Sequence, residues 1–182
     1  MGQKDMTKHI KDLMDIFHKV GIAKVDRFDH VHGDNHPNTV LRGVQSAIVF
    51  AAGSSGEGMG EFDDYFGTIA AQTDVIDYLN GLGFKTAMID NNVKHVSLVK
   101  MAIEAGVGEL SPVDSVVVKG LGLTATLGVI LTDAPLVADD KAEGVCIHCN
   151  ICLRVCPIRE KANEKGDLSK CSCGKCKLVC PV

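Results

Sequence analysis

The chain has 182 residues, 46% hydrophobic and 23% charged, enough to bury about 70% of the surface that the unfolded chain would expose. Its net charge of −4 and pI near 5.9 argue against nucleic acid as a partner, because neutralising phosphates needs a basic face. The longest apolar runs are about six residues, far below the roughly 20 that span a bilayer, and residues 1–5 resemble no export signal, so a cytoplasmic protein is expected.

Residues 5–20 place Ile10, Leu13, Phe17 and Val20 at helical spacing, which predicts an amphipathic helix capped by Gly21. Residues 26–38 are polar and His-rich, hence a loop. The continuous apolar run 46–52 (SAIVFAA) suits a buried strand. A glycine-rich loop follows over 53–60, then a long helix over 62–82 stopped by Gly83, and a strand over 84–89. Residues 93–105 predict a helix with Leu98, Met101, Ala102 and Ala105 on one face and Gly106 as its stop. Two apolar runs, 115–118 and 124–131, flank a Gly-Leu-Gly turn and predict a hairpin. An acidic connector (138–144, ADDKAEG) leads into the cysteines. The expected class is α+β, with an α/β body over residues 1–140 and a small Cys-rich module over 141–182.

All eight cysteines lie between Cys146 and Cys180. A disulfide framework would staple the whole of a small secreted chain, so a local group of thiols points to metal ligation. Cys146, Cys149, Cys152 and Cys156-Pro157 have the spacing of bacterial ferredoxins. There, three close thiolates wrap one [4Fe–4S] cubane and the fourth reaches the other. A second motif runs through Cys171, Cys173, Cys176 and Cys180-Pro181. The crossed pattern gives cluster one Cys146, Cys149, Cys152 and Cys180, and cluster two Cys171, Cys173, Cys176 and Cys156. The ideal second motif has a cysteine at 170, where this chain has Lys170, and the tight Cys171-x-Cys173 gap predicts a distorted cluster that loses one iron readily. Zinc in four-cysteine sites is the alternative, but it rarely takes three short gaps and then Cys-Pro, twice. Two [4Fe–4S] clusters are therefore expected, and with them a ferredoxin-like role in electron transfer.

Weaker candidates have ordinary explanations. His30, His32 and His36 with Asp29 and Asp34 could bind a transition metal, although a loop with local hydrogen bonds accounts for them better. The 53–60 loop matches neither a P-loop nor a dinucleotide fingerprint. Asp90, at a strand end, could serve as a general acid, but a solvated loop carboxylate is the commoner case. Tyr65 is more readily a core residue than a proton donor.

Four stretches resemble the epoxyqueuosine reductase and reductive dehalogenase group of cobalamin-dependent iron–sulfur proteins. They are Asn35-His36-Pro37 with residues 41–50 (LRGVQSAIVF), Asp64-Tyr65, residues 102–110 (AIEAGVGEL), and residues 127–136 (LGVILTDAPL) directly before the cysteines. The resemblance implies a nitroreductase-like body holding base-off cobalamin, reduced through a [4Fe–4S] centre, with Co(I) acting on the substrate. It places the corrinoid near Gly106, Gly108, Thr132 and Asp133, and sets Asp90 near the family's catalytic acid. A body this small suggests that a homodimer completes the enclosure. The sequence thus reads as an oxidoreductase or oxidoreductase component supplied by a protein electron donor. A non-catalytic electron carrier that docks to a partner oxidoreductase is the alternative.

Overall fold

The apolar run 46–52 is a strand, β2 (Ser46–Ala52), buried at its first six residues because it is central in a sheet covered on both faces. The computed structural model describes residues 2–29, 36–53, 60–89, 97–158 and 173–182, with 60–68 as backbone. β2 lies between β1 (Lys19–Lys24) and β6 (Thr126–Thr132), and β3 (Thr86–Ile89) lies beyond β6, all antiparallel. The register aligns Ile22, Ile48 and Ile130 across three strands. That row packs with Phe50 against α1 (Gln3–Leu13) and α2 (Gly60–Gly81) through Met6, Ile10, Val75 and Leu79. The opposite face, with Ala47, Val49, Val129 and Leu131, packs against α3 (Leu98–Glu104) through Met101, Ala102 and Ala105. Each large side chain buried here contributes about 1.5–3 kcal/mol. The expected α+β class holds. Among the described residues, no helix is long and apolar enough to cross a membrane.

Three expectations are corrected. The first helix ends at Leu13, and residues 19–24 form β1 with Gly21 inside it. Phe17 mimics helical spacing because it reaches the same core from the connecting turn. Gly21 is no helix cap: a Cβ there would lie 2.0 Å from the Ala105 carbonyl oxygen, so its lack of a side chain lets the end of α3 rest on β1. The expected hairpin is also absent. β5 (Val116–Val117) pairs with β4 (Glu109–Leu110), while β6 pairs with β2 and β3, leaving one bridge, Val118 to Gly122, across the turn. The apolar residues of β6 bury more surface between two strands of the large sheet than in a two-stranded ribbon.

The acidic connector bonds to the body. The Asp139 carboxylate accepts from the Ile22 amide (2.9 Å) and from Lys11 Nζ (2.6 Å). Its own amide donates to the Ile22 carbonyl (2.8 Å), and its carbonyl accepts from Arg27 (2.7 Å). Asp139→Ala is therefore expected to cost about 2–3 kcal/mol, because the Ile22 amide loses its acceptor inside the fold. Asp139→Asn keeps an acceptor and should recover part of that loss; urea unfolding midpoints compare the two.

Candidate metal centre

The two cysteine motifs build similar local structures. Asn150 (φ 58°) precedes the one-turn helix α4 (Ile151–Arg154), which carries Cys152. Gly174 (φ 61°) precedes α5 (Lys175–Leu178), which carries Cys176. Each unit is thus a cysteine, a left-handed residue, a helical turn holding the next cysteine, and then Cys-Pro. The helices pack against one another. His148 is also left-handed, at φ 50°. Asn and His are, after glycine, among the residues that adopt this conformation most readily, and here they turn the chain on both sides of Cys149.

The outcome is a cavity lined by Cys146, Cys149, Cys152 and Cys180, with Ser111, Pro112, Val117, Leu123, Pro181 and Val182 among its other walls. The free space among its walls is small, about 20 Å³. Three of these thiols come from the first motif and one from the end of the second. Their floor is a small apolar cluster of Val113, Val117, Leu123 and Cys152, which joins the cysteine segment to β5 and the turn after it. Among the described residues, no group of three or more His, Cys, Asp or Glu side chains is placed to hold a metal ion. Burial pushes the Cys152 thiol up, and the nearby Cys146 and Cys149 raise it further. Four cysteine thiols on one cavity are a donor set that fits an iron–sulfur cluster. Of the other four cysteines, Cys156 is buried, Cys176 half-buried and Cys173 exposed, while Cys171 lies outside the described residues.

Glu109 on β4 is a residue that sequence reasoning missed. Its carboxylate accepts from the amides of Val145 (2.8 Å) and Cys146 (3.1 Å), and stands 3.6 Å from His148 Nε2. The Cys146 amide does most to hold its carboxyl below the ordinary range, against an opposing effect of burial, with Val145 and His148 adding to the lowering. Glu109 therefore ties the first cysteine to the body. Because the charged form is favoured in the fold, its contribution is present above the ordinary carboxylate range and is lost only as pH falls below it. Glu109→Ala is expected to destabilise the docked segment by about 2 kcal/mol and to speed iron loss to a chelator. Glu109→Gln, which keeps an acceptor, should lie between it and the parent.

The remaining candidates are scattered. Gly106 caps α3 and lines a groove with His18, Lys19, Val107, Lys119, Gly120 and Val145, about 830 Å³ including its open side. Gly108 lies where a Cβ would meet the Val117 carbonyl at 2.4 Å. Thr132 is buried, its hydroxyl accepting from the Ala134 amide at 3.1 Å. Asp133 accepts from the Lys85 amide at 2.7 Å. Thr132 and Asp133 lie at the end of the sheet opposite Lys19, since Lys19 pairs with Ala51 and Ala51 with Leu127. His36 accepts from the Asn38 amide (3.1 Å) and stands 4.0 Å from Asp29, the local bonding expected of an ordinary loop. His30, His32, Asp34, Asp90 and residues 54–59 lie outside the described residues, as does the side chain of Tyr65.

No protein-family model matches the chain, and no curated protein does. Solved structures do. An epoxyqueuosine reductase crystallised with an epoxyqueuosine-modified tRNA-Tyr stem loop superposes with a TM-score of 0.72 at 15% identity, over 97% of this chain and 64% of its own. The epoxyqueuosine reductase from Streptococcus thermophilus gives 0.69 at 14% identity, over 97% and 65%. A reductive dehalogenase described as acting by B12-dependent dehalogenation gives 0.65 at 18% identity, over 87% and 26%. The chain shares the fold of these reductases. They are the group that the four sequence stretches resemble. The chain spans just under two thirds of the length of these epoxyqueuosine reductases and about a quarter of the dehalogenase.

Proposed function

We propose that the chain is an iron–sulfur redox protein that passes electrons through two [4Fe–4S] clusters to a cofactor or substrate in its body. The observation that carries this reading is the cavity, in which Cys180 of the second motif joins Cys146, Cys149 and Cys152 of the first, the crossed set of bacterial ferredoxins. Cys156 with Cys171, Cys173 and Cys176 would hold the second cluster, which makes residues 141–182 a ferredoxin-like module on a nitroreductase-like body. Clusters held there supply one-electron storage and transfer. The chain's own residues fix the geometry: Glu109 anchors the first cysteine, the left-handed residues turn the chain around Cys149, and the apolar floor seats Cys152.

The groove at Gly106 adjoins this module through Val145. Its valines offer an apolar wall, and Lys19 and Lys119 give it a basic rim, which suits a large organic cofactor with polar substituents. Cobalamin is the cofactor proposed, by likeness to the dehalogenase of the same fold, and a second copy of the chain would complete its enclosure. RNA also stands as a candidate substrate, since a reductase of this fold was crystallised with a tRNA stem loop. The chain's net charge of −4 does not by itself set RNA aside. Anaerobic reconstitution with cobalamin tests the reading: about one cobalt per chain with a base-off corrinoid spectrum supports the reductase. Full iron with no cobalt would instead favour an electron carrier.

A further inference from the structure

The charge of the chain is segregated. From residue 146 onward it carries seven Lys and Arg against three Asp and Glu, a net +4, whereas residues 1–145 carry twelve against twenty, a net −8. The basic segment is the one that holds every cysteine. Within it, α5 exposes Lys175 and Lys177 on either side of Cys176, followed by Leu178 at 83% exposure. Cys173, just before this helix, is exposed as well, and Arg154 is exposed on the helix packed against it. Among the described residues neither Lys175 nor Lys177 is in an ion pair, whereas Lys11 and Lys141 of the body and connector are paired with Asp139 and Glu104.

A single exposed leucine needs no explanation. An exposed leucine bordered by two exposed lysines, on the helical turn that carries Cys176, has the make-up of a transient interface, with an apolar contact point and a charged rim that steers encounter. We propose that this face docks an acidic, one-electron-carrying protein, whose carboxylates meet Lys175 and Lys177 and whose apolar surface rests on Leu178. The proposal rests on the iron–sulfur reading above. One electron leaves the donor's reduced group and one enters the cluster beside Cys173 and Cys176; no bond forms or breaks. A nucleic acid backbone would use the lysines, whereas a protein surface would use the lysines and Leu178 together, so a protein is the better fit.

The test uses the full chain reconstituted anaerobically, with an acidic flavodoxin as the probe. Binding of oxidised flavodoxin is read by biolayer interferometry, and cluster reduction by reduced flavodoxin is read by stopped flow, at low and high salt. Lys175→Glu with Lys177→Glu should weaken binding and slow reduction by about tenfold or more at low salt and remove most of the salt dependence. Leu178→Ser should weaken binding at any salt. Iron content and reduction by dithionite should stay as in the parent. Charge reversal without effect on flavodoxin, in a chain with full iron that dithionite reduces, overturns the docking proposal alone. So does binding of a stem-loop RNA through these lysines where flavodoxin does not bind. A chain without iron and sulfide overturns the cluster reading and this proposal together.

Discussion

Cys149→Ser and Cys180→Ser are each expected to lower the iron of the reconstituted chain from about eight to about four per chain, and the double variant is expected to lower it no further. The two residues are 31 positions apart and belong to different motifs, yet both line one cavity. If each motif held its own cluster, the single variants would strike different clusters and the double variant would lose all iron. In the crossed arrangement both strike the same cluster, and the second loss is already contained in the first. Cys149→Ser combined with Cys176→Ser serves as the complement and should remove both clusters. Either single variant with unchanged iron would exclude the cavity as a cluster site.

Gly106→Ala is expected to be among the most damaging single substitutions, at about 3–4 kcal/mol. Gly106 has φ +70°, which costs an L-residue about 1–2 kcal/mol. Its Cβ would also lie 2.0 Å from the Asp140 carbonyl oxygen. That oxygen belongs to a connector pinned by Asp139 to Ile22 and Lys11, so it cannot move aside without loss, and overpacking of this kind costs about 1–3 kcal/mol. Gly83→Ala isolates the first contribution: its φ is +87°, with nothing within 4 Å of the added carbon. Urea unfolding of the two should separate them by about 2 kcal/mol. Equal losses would mean that the close approach at Asp140 relaxes freely. Packing therefore accounts for this glycine whether or not it also borders a cofactor.

The parts of the fold legible in the sequence are those whose burial is local and continuous. The run 46–52 is a strand buried on both faces, and the long helix after the glycine-rich loop is seen within two residues of its expected ends. β1 was hidden because Lys19-Val20-Gly21 shows neither alternation nor β-branched density, and because Gly21 answers to a helix some 80 residues away. The false hairpin arose from a real turn, Gly120 to Gly122, whose flanking runs separate into different sheets. At the candidate site, spacing alone grouped the four thiols that line one cavity. It did not indicate Glu109, whose role depends on amides 36 and 37 positions later. Nor did whole-chain charge reveal the basic segment, because its +4 is averaged against a more acidic body.

These thiols are proposed to hold iron–sulfur clusters. Iron, acid-labile sulfide and zinc quantitation on the chain purified without oxygen tests this most directly. About eight irons and eight sulfides per chain, with broad visible absorbance that dithionite bleaches, is the predicted result. About two zinc ions per chain and no sulfide would contradict it and make the cysteine segment a structural zinc module.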